Sequence, residues 1–268
     1  MCRMSALAAT ALVPVLVLAA PALAKPAAKP PVAAAAAEAP RKASPADRAM
    51  AQRLDPLARA AFWAREVDTD PMDAEAGLAL SQALRGLGRY DEAIASAQRV
   101  QLARPNDVEA LLELARAQIG KGQGFYAIAP ARQAQTLAPG DWRPASLLGV
   151  AYEQAGRDDE ALAAHRQALA LAPDNPSAQT NLALFYANHG ETAEAETLLR
   201  AAAARPDAPM AARQNLALIL GLQGRFAEAE KLARQDLPPE TVENNMAWLR
   251  AAAGGATGRS WDSLKSAQ

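Results

Sequence analysis

The chain has 268 residues, of which 51% are hydrophobic and 4% aromatic, and its 28 basic residues nearly balance its 29 acidic ones. This balance, with no basic face in the sequence, is not typical of a nucleic-acid-binding protein. The apolar residues are mostly alanine and leucine without alternating β-branched runs, so the composition predicts an all-α core.

Residues 1–24 have the pattern of a secretory signal peptide. Arg3 provides the positive charge at the start, Ala6–Ala20 the apolar middle, and the small residues before Lys25 a cleavage site after Ala24. An uncleaved membrane anchor is the alternative, although the apolar stretch is only marginally long enough to span a bilayer. We therefore expect export to a bacterial periplasm.

Residues 25–45 consist largely of alanine, proline and lysine, a composition that predicts a disordered linker. Residues 46–73 follow as a degenerate N-terminal capping repeat of two short helices, Asp47–Leu54 and Pro56–Val67. The turn of this repeat lacks glycine, and we expect Trp63 to pack on the next repeat.

Residues 74–236 repeat a 34-residue pattern five times, in copies that span residues 74–107, 108–141, 142–175, 176–209 and 210–236. In each copy two apolar-periodic segments flank a short turn, as Pro144–Ala155 and Asp158–Leu171 do. Three kinds of residue recur at fixed places, namely the turn glycine (Gly88, Gly122, Gly156, Gly190, Gly224), a small residue in the second segment (Ala93, Ala127, Ala161, Ala195, Ala229) and a leucine in the first (Leu80, Leu114, Leu148, Leu182, Leu216).

This pattern resembles the tetratricopeptide repeat (TPR). The resemblance implies a superhelical solenoid, because one hairpin cannot bury its own apolar face and must stack on its neighbours. The second copy departs from the pattern, since Gly120–Gly124 reads GKGQG and Pro130 lies within the second helix. We expect a loosened turn there and a weak hinge between two stacked blocks. A phosphate-binding loop is not expected, because no strand precedes the glycines and Lys121 is not followed by Ser or Thr.

The chain is expected to end in a capping helix and a short tail. The helix, residues 237–255, covers the last repeat, and its buried stripe is predicted to be Val242, Met246 and Leu249. The tail, residues 256–268, is polar apart from Trp261 and Leu264. Two roles are open to these side chains: docking on the capping helix, or anchoring a partner.

No arrangement of residues in the sequence indicates catalysis. His165 is predicted in a helix packing position and His189 in a turn, and no histidine or cysteine has metal-ligand spacing. Acidic clusters such as Asp158–Glu160 fall at helix N-termini, where they complement the helix dipole. We therefore expect no enzyme activity, no metal, no cofactor and no small-molecule substrate.

By resemblance to tetratricopeptide domains, the first helix of each repeat lines a concave groove that binds a peptide. The lysines of the carboxylate clamp used by some such domains are absent, so the expected ligand is an extended or helical segment with apolar side chains. Asn181 and Asn215 are equivalent, and their amides are expected either to bind a peptide backbone or to bond a neighbouring helix. The predicted groove positions are Leu78, Gln82, Arg85, Leu112, Glu113, Arg116, Ser146, Val150, Thr180, Asn181, Leu184, Gln214, Asn215 and Leu218.

The C-terminal half is also similar to the TadD proteins of Flp (tight adherence) pilus assembly. The residues that carry this resemblance are Arg213–Glu240, Asn244–Arg250 (NNMAWLR), Ser260-Trp261 and Leu264, with further agreement at Asp141–Arg143, Pro176–Ala183 and Ala195–Arg200. The repeat fold itself does not require the QNLAL and NNMAWLR sequences. The resemblance implies a non-enzymatic assembly factor. The implied partner is the outer-membrane secretin or another pilus-assembly protein.

Members of that family are typically lipoproteins, and this chain departs from them. Pro21 stands where the lipidated cysteine would be, and the only cysteine, Cys2, precedes the apolar stretch. The departure favours a soluble periplasmic factor, or tethering through a partner. Two alternatives stay open: an adaptor for another envelope machine, such as polysaccharide export or cell-wall synthesis, and a chaperone that holds unassembled pilin.

Overall fold

The computed structural model describes residues 41–205 and 208–254, with side chains as far as Ala252. This part of the chain contains thirteen α-helices and no strand. None of its helices is long and apolar enough to cross a membrane. The predicted signal peptide, most of the predicted linker and the tail with Trp261 and Leu264 lie outside the described residues.

The helices form the predicted row of hairpins. Two short helices, α1 (Pro45–Ala51) and α2 (Pro56–Thr69), open the described chain, and α13 (Pro239–Gly254) closes it. Each hairpin between them packs on the next. The five hairpins are α3 (Ala74–Gly86) with α4 (Tyr90–Ala103), α5 (Val108–Gly120) with α6 (Gly124–Leu137), α7 (Trp142–Gln154) with α8 (Asp158–Leu171), α9 (Pro176–Asn188) with α10 (Thr192–Ala203), and α11 (Met210–Leu222) with α12 (Phe226–Ala233).

Every hairpin turns at a glycine with a left-handed backbone. The backbone N–H of the residue after the glycine donates to the carbonyl five residues earlier, as from Arg157 to Tyr152 at 2.9 Å. Glycine adopts this conformation without the strain that a Cβ would cause, which explains why it recurs with the period of the repeat. The φ angles lie between 68° and 82° at the five predicted positions, Gly88, Gly122, Gly156, Gly190 and Gly224.

The turn of the second repeat is not loosened, contrary to the prediction, whereas the hinge between two blocks stays a prediction. Its glycine has φ 77° and the same hydrogen bonds as the other turns, and α6 continues through Pro130. The additional glycines allow close packing instead. A Cβ at Gly120 would lie 2.5 Å from a Tyr90 ring carbon, and one at Gly124 would lie 2.5 Å from the Gln154 Cβ.

The hairpins stack so that their first helices lie on the inner side. First helices of consecutive hairpins contact each other, whereas second helices of consecutive hairpins make no comparable contacts in the described chain. Because the first helices are closer together, their row forms the concave side of the stack. The small residue of each second helix lets it approach its neighbours, and all five are fully buried: Ala93, Ala127, Ala161, Ala195 and Ala229.

Buried charges fix the N-terminal end of the solenoid. The Arg48 guanidinium lies 2.7 Å from carboxylate oxygens of both Glu66 and Asp73. Burial alone would raise the pKa of Asp73, but hydrogen bonds from Arg48 and Lys42 hold it well below its usual range. The Ala43 N–H donates to both Glu66 carboxylate oxygens, at 3.0 and 3.1 Å. The predicted linker therefore ends before Ala43, because the backbone N–H of Ala43 binds the buried carboxylate of Glu66.

Both ends of the described solenoid are covered by packed helices. Trp63 of α2 is buried and packs in one cluster with Ala76 of the first repeat, as predicted. At the other end, α13 contacts α11 and α12 as the first helix of a sixth repeat would. Glu243 and Asn244 face solvent. The buried side of α13 is the predicted stripe, Val242, Met246 and Leu249.

Candidate functional site

The first helices leave ten of the fourteen predicted groove residues accessible and bury the other four. Gln82 is exposed, and the half-buried residues are Leu78, Arg85, Arg116, Val150, Asn181, Leu184, Gln214, Asn215 and Leu218. Four residues that were predicted to line the groove are buried and therefore not available to a ligand: Leu112, Glu113, Ser146 and Thr180. Consecutive first helices pack side by side, so residues on their flanks are covered by the neighbouring helix.

The buried residues make their contacts within the protein. Leu112 packs with Leu111 and Ala134. The Thr180 hydroxyl donates to the Pro176 carbonyl of its own helix at 2.7 Å. These side chains stabilise the helices that form the groove and do not face a ligand.

Asn181 and Asn215, which are equivalent in the repeat, have different surroundings. The Asn181 side-chain amide donates to the Ser146 hydroxyl at 2.7 Å, joining α9 to α7. Of the two roles open to this asparagine, the bond between helices is the one observed. The Asn215 side chain makes no hydrogen bond within the described chain and lines an open cleft, so its amide is available to a ligand.

A buried carboxylate organises the N-terminal part of the groove. Glu113 is only 1% accessible, accepts a hydrogen bond from Arg85 Nε at 3.0 Å, and has Arg116 at 3.6 Å. The Ser81 hydroxyl lies 3.3 Å from the same carboxylate. Two partly accessible guanidinium groups thus share one buried carboxylate.

At the C-terminal end of the groove, α11 and α13 enclose an open cleft of about 490 Å³. The cleft brings together the last three predicted groove residues, Gln214, Asn215 and Leu218. The side chains opposite them come from α12, α13 and the segment between. The complete lining is Gln214, Asn215, Ala217, Leu218, Ala233, Leu237, Thr241, Asn245, Met246, Trp248 and Leu249.

The residues of α13 that line this cleft were not predicted from the sequence. Trp248 lies off the buried stripe and is 46% exposed, which is unusual for so large an apolar side chain. Thr241 and Asn245 also line the cleft. The signal was present in the NNMAWLR motif, because its tryptophan comes two residues after the buried Met246 and therefore lies outside the stripe.

The side chains around the cleft suit an uncharged peptide. The amides of Gln214, Asn215 and Asn245 each present donors and an acceptor that match a peptide backbone. Leu218 and Trp248 provide apolar surface, and an indole can also donate one hydrogen bond. No ionisable side chain is among the residues that line the cleft.

The two histidines have structural surroundings. His165 is buried, with Nε2 at 2.7 Å from Glu153 Oε1. Its ring packs on Gly149, where an added Cβ would lie 2.4 Å from a ring carbon. His189 ends α9, and its ring stacks on Phe185. No group of three or more His, Cys, Asp or Glu side chains within residues 41–205 and 208–252 could hold a metal ion.

Tetratricopeptide repeat family models match most of the chain. One model matches residues 46–108 and 78–141, a second matches 148–190, and a third matches 177–205 and 210–237. Together these ranges cover more than half of the 268 residues. No curated protein matches the chain significantly.

Solved structures of repeat proteins are similar to this chain. TTC0263, a thermophilic TPR protein of Thermus thermophilus, is 27% identical over 66% of this chain and 98% of that one, with a TM-score of 0.58. A tetratricopeptide repeat protein of Parabacteroides merdae has a TM-score of 0.64 at 13% identity, over 77% of this chain and 86% of that one. Pseudomonas aeruginosa pilF has a TM-score of 0.55 at 16% identity, over 75% and 96%. The last two likenesses show the fold alone.

These matches agree with the helices, turns and stacking observed. The matched ranges begin within α1 and end just after α12, and they include every hairpin apart from residues 142–147 of α7. Proteins with this architecture generally act as non-catalytic scaffolds for other proteins. The chain belongs to the tetratricopeptide repeat proteins.

Proposed function

We propose that this protein binds a segment of a partner protein along its concave groove, with the cleft between α11 and α13 as the main anchoring point. The observation that carries the proposal is the half-exposed Trp248, which lines an open, uncharged cleft together with Asn215 and Leu218. Partly exposed aromatic side chains in a concave, largely apolar site are typical of protein-binding surfaces.

The chemistry of the groove describes the ligand. The cleft takes a bulky apolar side chain, while the amides of Gln214, Asn215 and Asn245 bind the adjoining backbone. Charged side chains are disfavoured there, because the cleft offers them no partner. Towards the N-terminal end, the accessible faces of Arg85 and Arg116 accommodate an acidic side chain of the same segment.

We further propose that the partner is a component of Flp pilus assembly, such as the secretin, and that the protein works in the periplasm after removal of residues 1–24. The support comes from the two motifs that resemble TadD proteins. Gln214–Leu218 (QNLAL) and Asn244–Arg250 (NNMAWLR) contribute opposite sides of the cleft. Trp248 belongs neither to the recurring positions of the repeat nor to the buried stripe of α13, so the fold gives no reason for it and a ligand would.

The test uses overlapping synthetic peptides that cover the secretin and the major prepilin encoded in the same genome. We expect a secretin peptide with a bulky apolar residue to bind the wild-type chain, and Trp248→Ser to weaken its binding at least about tenfold. Leu102→Ser is the matched control, because Leu102 is 77% exposed on the second helix α4.

The possible results separate the candidate functions. Binding of prepilin peptides alone would support the pilin-holding chaperone. If no peptide of either protein bound more tightly to the wild-type chain than to Trp248→Ser, the pilus proposal would be wrong.

A further inference from the structure

The cleft between α11 and α13 lies close to the C-terminal tail of the chain, because α13 lines the cleft and the tail follows α13. Residues 255–268 follow α13 directly. We propose that residues 256–268 of this chain bind in that cleft and compete there with the partner segment. The inference rests on the proposed function, since it concerns the regulation of the same site.

The cleft has apolar surface that an occupant would remove from water. Trp248 is 46% exposed, and Leu218, Met246 and Leu249 also line the cleft. Burying apolar surface is favourable by about 25 cal/mol per Å². Because the lining carries no charge, the favoured occupant places apolar side chains inside the cleft and keeps its charged groups outside.

The sequence of the tail has this composition. Residues 256–268 read ATGRSWDSLKSAQ, in which Trp261 and Leu264 are the only large apolar residues. The three charged residues alternate with small polar ones around this pair. The tail therefore offers two anchors close together, which suits a cleft of about 490 Å³.

The connection is long enough for Trp261 to reach the cleft. At 1.5 Å per helical residue, Trp248 lies about 9 Å along the helix axis from Gly254. The seven residues from Gly254 to Trp261 span at most about 25 Å when extended. To enter the cleft, the tail would have to reverse direction near Gly254-Gly255, and glycine permits such a reversal without strain.

The connection also makes the tail an effective competitor. A short flexible link gives the tethered segment an effective concentration of about 1 mM at its site. A tail with a Kd of about 0.1 mM or tighter would therefore occupy the cleft in most molecules. A partner must displace it, so the apparent affinity for the partner is reduced.

The test compares the full wild-type chain with a full chain that carries Trp261→Ser and Leu264→Ser. The probe is a fluorescein-labelled synthetic peptide of residues 256–268, followed by fluorescence anisotropy. We expect the peptide to bind the double variant and to bind the wild-type chain at least about tenfold more weakly, because the tethered tail competes. Adding Trp248→Ser to the double variant should abolish binding, and adding Leu102→Ser should leave it unchanged.

Hydrogen exchange provides a second measurement on the same two proteins. We expect α11 and α13 to exchange more slowly in the wild-type chain at every protein concentration. Equal peptide affinity for the two chains, or no binding to either, would overturn the proposal. Protection that grows with protein concentration would also overturn it, since the occupant would then be another copy.

The two proposals fail in different ways. If the tail peptide binds as expected while no pilus-assembly peptide does, only the proposed function is wrong. If a secretin peptide binds the wild-type chain and the double variant equally well, only the regulation by the tail is wrong.

Discussion

At Gly149, the absence of a methyl group allows α7 and α8 to approach closely. A Cβ there would lie 2.4 to 2.6 Å from three atoms of the His165 ring. The ring cannot move aside cheaply, because it is buried and bound to Glu153. We expect Gly149→Ala to lower the free energy of unfolding by about 1–3 kcal/mol through overpacking, measured by urea denaturation.

Gly86 provides the matched control for this substitution. It is also a helical glycine, but nothing lies within 4 Å of the position that its Cβ would take. Gly86→Ala should therefore leave stability unchanged or raise it by up to about 1 kcal/mol, because alanine has the higher helix propensity. Equal effects of the two substitutions would show that contact with His165 is not what limits residue 149.

His189 makes the stability of the fourth hairpin depend on pH. A hydrogen bond to the Phe185 carbonyl at 2.8 Å raises the pKa of His189, and Asp158 at 3.3 Å raises it further, whereas burial opposes both. Since the pKa is higher in the folded state, the stabilisation is fully present below the unfolded pKa of about 6.5 and is lost as pH rises through the folded pKa.

We therefore expect His189→Gln to lower the free energy of unfolding more at about pH 5.5 than at about pH 8.5. Denaturation of both proteins at the two pH values measures the difference, and it cancels the contributions that the two proteins share. A difference that is the same at both pH values would mean that His189 acts through its stacking on Phe185 alone.

Among the elements, α6 is the helix whose sequence fits its conformation least. Pro130 lies inside it and has no N–H to donate to the carbonyl of the preceding turn. We expect Pro130→Ala to stabilise the protein by up to about 3 kcal/mol and to slow hydrogen exchange in α6. Pro56→Ala is the control, because Pro56 stands at the first position of α2, where no such bond is lost. A destabilised Pro130→Ala would show that packing of the ring outweighs the missing bond.

The helices could be predicted from the sequence because each turn needs a residue that tolerates positive φ. The position of such a residue is visible in one repeat, and the period then fixes the other turns. The burial of Ser146 and Thr180 could not be predicted in the same way. Their burial depends on the distance between consecutive first helices, and the sequence of one repeat does not show that distance.

The cleft was difficult to predict for a different reason. The second helix α12 has eight residues, whereas the other four second helices have 12 or 14. Pro238 and Pro239 follow soon after and do not allow α12 to continue. The next first-type helix therefore begins at Pro239, ahead of residue 244, where a sixth copy of the 34-residue period would start. This shift changes which residues of α13 line the groove.

At the scale of the whole molecule, a stack of hairpins holds together through contacts between neighbours. The buried residues form separate clusters along the stack. The last cluster joins α10, α11 and α13, for example through Leu199, Leu216 and Val242. Helix α13 has neighbours on one side only within the described chain. The end that carries the cleft is therefore supported from one side only.

Val242→Ala tests this property, because Val242 is fully buried but does not line the cleft. We expect a loss of about 1–3 kcal/mol, with faster hydrogen exchange in α11–α13 and little change in α3–α6. Leu148→Ala, in the middle of the stack, should instead accelerate exchange on both sides. Uniformly faster exchange after Val242→Ala would mean that the hairpins unfold as one unit. If the faster exchange is confined to α11–α13, a peptide bound in the cleft should restore protection to α13 first. The peptide binds only when that helix is packed, so binding stabilises the packed state.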